Sequence, residues 1–330
     1  MVYRAAIIGC GKIGSEFADD PRIKDIYTHA GAYVKCPDTE LVAVCDKDTK
    51  KAEKCRERWN VTDCYQDYQK MIYEVKPDIV SICTPDTTHF DIIHTILTSS
   101  KVKVIFAEKP LALDIKEAEN LVSLAEKKGA ILAVNYFRRY SEKILELRDL
   151  LHSDTFGDIQ TINGYYTKGT MHNGTHFFDL ARFFVGEIVQ VKSFDHLHEK
   201  NNDPTLDAYI KFANGSSGYL HACDATKFSI FEMDIIGSNG RVYIKESGHV
   251  AEVYQVTDSP YYSGYKSLLL SEKYTEILKD TILHVVEDIV QCLRTGQTPR
   301  CSGHDGVAAL RIALAVIKSA DTGSVIELGV

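Results

Sequence analysis

Apolar residues form short, nearly continuous runs through about residue 135, and polar segments with helical spacing separate these runs. The runs are AAIIG (5–9), ELVAVCD (40–46), DIVSICT (78–84), KVIFAE (103–108) and AILAVN (130–135). Such runs are typical of parallel strands that are covered on both faces. The clearest helix is predicted over 114–129, with Asp114 as its N-cap and Gly129 at its end. The alternation predicts a doubly wound α/β sheet.

After about residue 155 the runs become strands rich in Tyr, Val, Ile and Phe, joined by turns such as NGSSG and GSNG. Strands joined this directly predict a mostly antiparallel sheet. Two late helices, at about 271–295 and 305–320, are expected to cover one of its faces. The predicted fold is therefore an N-terminal Rossmann domain (1–130) with a doubly wound parallel sheet, followed by a C-terminal α+β domain (131–330) with an open sheet.

Length and composition limit the class of protein. The chain has 330 residues, enough for two domains, and a net charge of 38 − 46 = −8. A mildly acidic chain argues against nucleic acid or an anionic membrane as a partner. The N-terminus lacks the pattern of a signal peptide, and no apolar run is long enough to span a membrane. Nine cysteines without a Cys-x-x-Cys pair favour reduced thiols. We therefore expect a soluble cytoplasmic protein.

A glycine-rich motif follows the first strand. Gly9, Gly11 and Gly14 form G-x-G-x-x-G at a predicted helix start. This spacing allows a tight turn, a close approach of the backbone to a pyrophosphate, and close packing of helix on strand. The helix N-terminus adds free N–H groups and a partial positive charge. We therefore expect the loop, including Lys12 and Ile13, to bind a dinucleotide.

An acidic residue ends the second predicted strand. Asp46 occupies the position where a carboxylate binds the hydroxyl groups of the adenosine ribose. Its separation from Gly14 exceeds the usual figure of about 20 residues, and an enlarged crossover over 19–40 accounts for the difference. A carboxylate repels a 2′-phosphate, so Asp46 favours NAD over NADP. Lys47 beside it leaves NADP as the alternative.

Four motifs together resemble the glucose–fructose oxidoreductase, inositol dehydrogenase and MocA family. They are GCGKIG (9–14), CTPDTTHF (83–90), AEKPLAL (107–113) and NGTHFFDLARFFVG (173–186). The resemblance implies a Rossmann domain, an open-faced substrate domain, and homodimers or homotetramers built through the sheet of that second domain. It also implies hydride transfer between a nicotinamide and a hydroxyl or keto carbon of a sugar, cyclitol or nucleotide-sugar.

The resemblance also assigns residues of the first domain. Thr84 and Pro85 match the turn beside the nicotinamide ribose, with His89 near it. Glu108, Lys109 and Pro110 match the family's active-site triplet, whose Lys–Pro bond is often cis. Further along, Asn135 is expected on the nicotinamide side, and Arg138 or Arg139 at the substrate.

In the second domain, His176 matches the family histidine that faces the reacting carbon, and Asp179 lies at the sugar in many members. Asn173 joins the substrate-binding candidates. Where many relatives carry an aspartate, this chain has His172. The substrate therefore cannot be transferred from the cyclitol dehydrogenases, and a sugar or nucleotide-sugar is at least as strong a candidate.

His172 and His176 lie four residues apart, which raises three interpretations: a metal site with Asp179, two surface histidines, or a proton-transfer site. Asn173 and Gly174 are poor residues for a continuous helix. A helix is therefore predicted over about 176–185, with Thr175 or Asn173 as its N-cap and His172 in the preceding loop. Hydride transfer to NAD requires no metal, so none is predicted.

The favoured interpretation is proton transfer. As a hydroxyl carbon gives up its hydride, the hydroxyl must lose a proton, and imidazole exchanges protons near neutral pH. A lysine beside a cationic nicotinamide is pushed toward the same range. We expect Lys109 or His176 to take the proton and the other to stabilise the substrate oxygen. His172 orients this pair or binds a further hydroxyl.

Two other functions use the same fold. A glycosidase of this type oxidises the sugar transiently with bound NAD, eliminates the aglycone and returns the hydride, so no net NADH appears. A non-catalytic regulator would bind NAD or a sugar without turnover. Both stay open beside the dehydrogenase.

Overall fold

The apolar runs of the first 135 residues form the parallel sheet that their pattern predicts. In the computed structural model, which describes residues 1–329, six strands lie in the order β3-β2-β1-β4-β5-β6, and every pairing between them is parallel. The strands are β1 (Tyr3–Ile8), β2 (Thr39–Cys45), β3 (Asp63–Tyr65), β4 (Ile79–Ile82), β5 (Val104–Ala107) and β6 (Ile131–Val134). Each predicted run overlaps one strand. The pattern missed β3, which is short and lies at the sheet edge.

Five helices separate these strands. They are α1 (His29–Lys35), α2 (Thr49–Trp59), α3 (Tyr68–Val75), α4 (His89–Ser99) and α5 (Ile115–Lys128). The predicted ends of α5 are confirmed. The Asp114 carboxylate accepts hydrogen bonds from the N–H groups of Lys116 (2.8 Å) and Glu117 (3.2 Å), and Gly129 ends the helix with a φ of +65°. Strands and helices together confirm the doubly wound α/β fold.

The later strands form a nine-stranded sheet. Their order is β14-β13-β12-β11-β7-β10-β9-β8-β15, and only β7 and β10 pair in parallel. The strands are β7 (Ile159–Tyr166), β8 (Ile188–Phe194), β9 (Asp207–Phe212), β10 (Ser217–Ala222), β11 (Phe231–Gly237), β12 (Gly240–Lys245), β13 (Val250–Asp258), β14 (Lys266–Tyr274) and β15 (Ile326–Glu327). Alternate residues are buried: Leu220 and Ala222 lie in the core, whereas Tyr219 and His221 are exposed. The predicted open, mostly antiparallel sheet is confirmed.

Four more helices complete the described chain: α6 (Glu142–Leu151), α7 (Thr175–Val185), α8 (Thr281–Thr295) and α9 (Gly303–Thr322). The prediction of a helix from residue 271 is wrong, because 271–274 end β14. There Glu272 pairs with Val253 and Lys273 with Glu252. The polar residues at 271–274 suggested a helix, and the local sequence did not indicate an exposed strand. The helix α8 belongs to the first unit, where it contacts α1.

The chain divides into two compact units. The first contains Met1–Tyr140 and Lys279–Val307, and the second contains Ser141–Leu278 and the chain from Ala308 onward. The returning segment joins the first unit at the edge of β6, where the Val134 N–H donates to the Cys301 carbonyl (3.1 Å). These units differ from the predicted limits of 1–130 and 131–330 by the ten residues after Ala130 and by the returning segment. Among residues 1–329, no helix has the length and apolar character that crossing a membrane requires.

Candidate active site

The glycine motif forms a tight turn directly after β1. Gly9 has a φ of +98°, and a Cβ atom there would lie 2.5 Å from the backbone carbonyl carbon of Cys83. A Cβ on Gly14 would lie 2.2 Å from the Gly9 carbonyl oxygen. Any larger residue at either position would collide with backbone. The tight turn and close packing that were expected to require glycine are therefore present.

The helix that was expected to start at the motif is displaced. A single helical turn closes through the Ser15 N–H on the Gly11 carbonyl (2.9 Å), and α1 begins only at His29, whose N–H donates to the Ile13 carbonyl (3.1 Å). The enlarged crossover therefore leaves the glycine loop and returns to it at the start of α1. Within residues 1–329, the N–H groups of the motif's last four residues find no acceptor. The residues are Gly11, Lys12, Ile13 and Gly14. Four such donors suit phosphate oxygens.

Asp46 is held at the end of β2 by backbone donors. Its Oδ2 accepts from the Cys10 N–H (2.8 Å) and its Oδ1 accepts from the Asp48 N–H (2.9 Å). The first bond ties the carboxylate to the glycine motif. Because both oxygens are engaged, the carboxylate has one fixed orientation beside the loop.

The turn after β4 is connected to the chain after β5. The His89 ring lies 2.9 Å through Nε2 from the Thr84 carbonyl oxygen and 2.7 Å through Nδ1 from the Pro110 carbonyl oxygen. Thr88 Oγ1 donates to Thr84 Oγ1 (2.8 Å) and to the Pro85 carbonyl (2.7 Å). His89 is almost fully buried. Its ring connects the turn after β4 to the segment after β5.

Glu108, Lys109 and Pro110 follow β5, and the Lys109–Pro110 peptide bond is cis, as the family resemblance implied. Glu108 Oε1 accepts from Asn135 Nδ2 (2.6 Å) and lies 3.0 Å from His29 Nε2. Burial opposes ionisation of this carboxyl group, but hydrogen bonds from His29 and Asn135 and the positive charge of Lys109 outweigh it, so the pKa of Glu108 lies below its usual value. The group is thus a carboxylate at neutral pH. His29 has no place in the sequence-based site.

The two arginines after Asn135 differ in their surroundings. Arg139 is buried and forms an ion pair with Asp305 (3.0 Å), which also accepts from Ser302 Oγ and its N–H. Arg138 lies over the Phe137 ring, 4.9 Å from its centroid. The ion pair gives Arg139 a structural partner, and contact of either arginine with a substrate stays a prediction.

In the second unit, the segment with the two histidines is helical throughout. A π-helical turn at Gly169–Gly174 runs directly into α7, so the predicted loop position of His172 is wrong. Both predicted N-caps are wrong for the same reason. Thr175 Oγ1 donates back to the Met171 carbonyl (2.8 Å), and Asn173 Nδ2 donates to the Thr167 carbonyl (2.8 Å). π-helical turns are rare and frequently lie at functional sites.

A loop distant in sequence holds this turn. The Asp203 carboxylate accepts from the N–H groups of Met171 (2.7 Å) and His172 (2.9 Å), one on each oxygen. Thr205 Oγ1 accepts from the Gly169 N–H (3.1 Å). Sequence reasoning missed Asp203, because no local pattern links it to a turn about thirty residues earlier.

The predicted polar residues of this segment differ in burial. His172 is exposed, whereas His176, at 6% exposure, and Asp179 lie almost fully buried on α7. Residues 1–329 contain no group of three or more histidine, cysteine, aspartate or glutamate side chains placed to hold a metal ion.

Comparison with known proteins finds two family models along the chain. Residues 3–136 match the oxidoreductase family with an NAD-binding Rossmann fold, and residues 168–328 match the C-terminal alpha/beta domain of the same family. Together they cover most of the sequence.

Individual relatives match over nearly their whole length. The chain is 23% identical to myo-inositol 2-dehydrogenase of Thermotoga maritima, over 98% of both chains. It is 24% identical to D-glucoside 3-dehydrogenase of Escherichia coli, over 98% of this chain and 97% of the relative. The WlbA dehydrogenase of Bordetella pertussis, solved with NADH and UDP-GlcNAcA, has the same fold, with a TM-score of 0.80, 17% identity and full coverage of both chains.

Proposed function

The chain belongs to the glucose–fructose oxidoreductase, inositol dehydrogenase and MocA family of oxidoreductases, and on that premise we propose an NAD-dependent dehydrogenase of sugars, cyclitols or nucleotide-linked sugars. One observation carries the proposal. An ionised, oriented Glu108 precedes Lys109 at the carboxyl end of β5, in the same sheet whose first strand ends in the glycine turn. In doubly wound sheets, ligands bind at the carboxyl ends of the strands.

NAD is the proposed cofactor, and it supplies the hydride acceptor when bound. The four free N–H groups of residues 11–14 suit its pyrophosphate. Asp46 has the fixed orientation that pairing with two ribose hydroxyls requires, and its charge disfavours the 2′-phosphate of NADP. The remaining proposed cofactor contacts are the turn at Thr84 and Pro85, which His89 holds, the carboxylate of Glu108 and the amide of Asn135.

The chemistry that this chain must supply is removal of one proton from a substrate hydroxyl. We assign this step to Lys109 and His176, one as the base and the other as the donor that stabilises the developing charge on oxygen. His172, Asn173, Asp179 and Arg138 or Arg139 are assigned to the remaining polar groups of the substrate. For His172 this assignment draws on its exposed position on the π-helical turn.

The substrate class draws on the relatives. Their names refer to inositol and a D-glucoside, and the WlbA structure contains UDP-GlcNAcA. All of these present ring hydroxyl groups, which require several hydrogen-bonding side chains, and the helical segment 172–179 provides such a set.

We also assign a homodimer or homotetramer, built through the open face of the nine-stranded sheet. Aromatic side chains line that face: Tyr165 stacks on His221 (5.3 Å between centroids), and Tyr219 also stacks on His221 (6.1 Å). Tyr165 and Tyr219 are 42% and 49% exposed, which is unusual for large rings and favours a protein partner. Sedimentation of the purified protein, beside the variant Tyr219→Glu, tests this assignment.

A cytoplasmic location is proposed as well. All nine cysteines of the chain are free thiols, and most are buried, which suits a reducing compartment. Microscopy of a fluorescent fusion tests the location.

The deciding experiment is a substrate screen. Purified protein with NAD is offered inositols, free sugars, glucosides and nucleotide-linked sugars, and NADH is followed by its absorbance. We expect sustained NADH formation with at least one of these compounds. Cleavage of a glucoside without net NADH would identify the glycosidase instead, and tight NAD binding without turnover of any compound would favour the regulator.

A further inference from the structure

A row of buried polar side chains lies behind Glu108 in the first unit. His29, Tyr33 and Ser81 are each fully buried, yet all three carry hydrogen-bonding groups. Buried polar groups are destabilising unless they are paired, so each must have a partner in the row. The cofactor contacts proposed above use none of these three residues.

The distances form an unbroken chain of contacts. Tyr33 Oη lies 2.7 Å from Ser81 Oγ, Ser81 Oγ lies 2.8 Å from His29 Nδ1, and His29 Nε2 lies 3.0 Å from Glu108 Oε1. Burial raises the pKa of the Tyr33 phenol, which therefore stays protonated and able to donate.

Only one direction of donation satisfies every member. An ionised Glu108 can only accept, so His29 Nε2 carries the hydrogen of that bond. If Nδ1 accepts from Ser81 Oγ, then Ser81 Oγ accepts from Tyr33 Oη. A hydrogen on Nδ1 would instead leave one hydroxyl hydrogen, that of Tyr33 or that of Ser81, without a side-chain acceptor within residues 1–329. Hydrogen positions follow from this network.

We propose that His29 is a positioning residue for Glu108: the donor chain from Tyr33 through Ser81 fixes the imidazole, which anchors one carboxylate oxygen beside Lys109. Asn135 Nδ2 donates to the same oxygen (2.6 Å). The other oxygen, Oε2, has no hydrogen-bond partner among the described residues, and the Glu108 side chain is 12% exposed. One oxygen is thus anchored by the protein, and the other is left to accept from an N–H or O–H of a bound ligand.

The positioning of Glu108 by His29 is independent of the proposed function. Only the role of the anchored carboxylate at a bound ligand rests on that function. Four titratable groups act on Glu108 or are influenced by it: His29 from α1, Lys109 beside it, Tyr27 from the crossover and Cys83 after β4. His29 is the one that donates a hydrogen bond to the carboxylate. Its loss should therefore make Glu108 easier to protonate.

The test replaces His29 by Phe, which fills the space but cannot donate, and by Gln, whose amide can restore the bond. Carbon-13 NMR of full-length protein labelled at the glutamate carboxyl groups follows Glu108, assigned by the signal lost in Glu108→Gln. We expect His29→Phe to raise the titration midpoint of Glu108 by about one pH unit. His29→Gln should return it toward the wild-type value. In active protein, the acid limb of the kcat/KM profile should shift in the same direction.

Tyr33→Phe is the matched control, because it removes the outermost donor but leaves the bond between His29 and Glu108. It should lower thermal stability and leave the Glu108 midpoint nearly unchanged, because Ser81 still donates to His29 Nδ1. If His29→Phe does not fold, His29→Asn, whose shorter amide does not reach Glu108, replaces it. An unchanged Glu108 midpoint in a folded variant would show that His29 serves stability alone. The NMR measurement needs no substrate, so failure of the substrate screen would overturn the proposed dehydrogenase without overturning this inference.

Discussion

The two units hold their proposed functional residues by different means. In the first unit, Glu108 and Asn135 follow adjacent buried strands, and side-chain contacts then fix their orientation. In the second unit, His172 lies on a π-helical turn whose backbone is held by Asp203, from a loop after β8. Residues at the ends of the buried strands are therefore placed by local sequence, whereas the π-helical turn depends on a distant segment.

The largest expected effect tests whether both units contribute to one reaction. Lys109→Ala and His176→Ala should each lower kcat by about 10²- to 10⁴-fold, the usual contribution of a positioned acid or base. NAD affinity should stay unchanged in His176→Ala. Steady-state kinetics on the substrate from the screen, with calorimetric NAD titrations, measure both quantities.

Lys103→Ala and His152→Ala are the matched controls. Lys103 precedes β5 and forms an ion pair with Asp78 (2.8 Å), and His152 lies exposed after α6. Neither control should change turnover. Near-normal turnover in both Lys109→Ala and His176→Ala would remove these residues from the mechanism.

A smaller effect is expected for cofactor binding, which the comparison assigns to the first unit alone. Asp46→Ala should raise the Kd of NAD by about ten- to a hundredfold, since charge-assisted hydrogen bonds to the ribose are lost. It should also weaken the preference for NAD over NADP. Asp67→Ala is the control, because Asp67 accepts from two N–H groups at the start of α3 and is not among the proposed cofactor contacts. A wild-type preference for NADP would contradict the assignment of Asp46.

Next in size is the support of the π-helical turn in the second unit. Asp203→Ala removes the acceptor of two N–H groups and should lower kcat/KM about tenfold by loosening His172. NAD affinity should not change. Asp224→Ala is the control, because among residues 1–329 this exposed aspartate accepts only from the N–H and hydroxyl of Thr226. If Asp203→Ala changed stability but not kcat/KM, the turn would need no such support for catalysis.

Local sequence could predict those parts of the fold that depend on neighbouring residues. The strands β1, β2, β4, β5 and β6, the glycine turn and the ends of α5 follow from local apolar spacing and cap residues, and all are present. The displaced start of α1 could not be predicted, because the crossover returns to the glycine loop through backbone bonds to Ile13 and Gly14. Likewise, nothing in the sequence around His29 indicates that its ring lies within hydrogen-bonding distance of Glu108, 79 residues later. The assigned roles of the site residues stay predictions until the variants are measured.

The smallest expected effect concerns two residues that sequence treats alike. Asp114 and Thr175 are both good N-cap residues before an apolar helix, yet only Asp114 caps, whereas the Thr175 hydroxyl donates backwards to Met171. Asp114→Ala should lower the free energy of unfolding by about 1 kcal/mol, the usual effect of a lost cap. Thr175→Val should cost about half of that or less, because the lost neutral hydrogen bond is partly offset by a buried methyl group. Urea unfolding of the two variants, with Asp114→Asn as the cap-retaining control, measures the difference. Equal losses would mean that Thr175 caps α7 in solution. The description of residues 169–185 as one continuous helical segment containing both His172 and His176 would then be wrong.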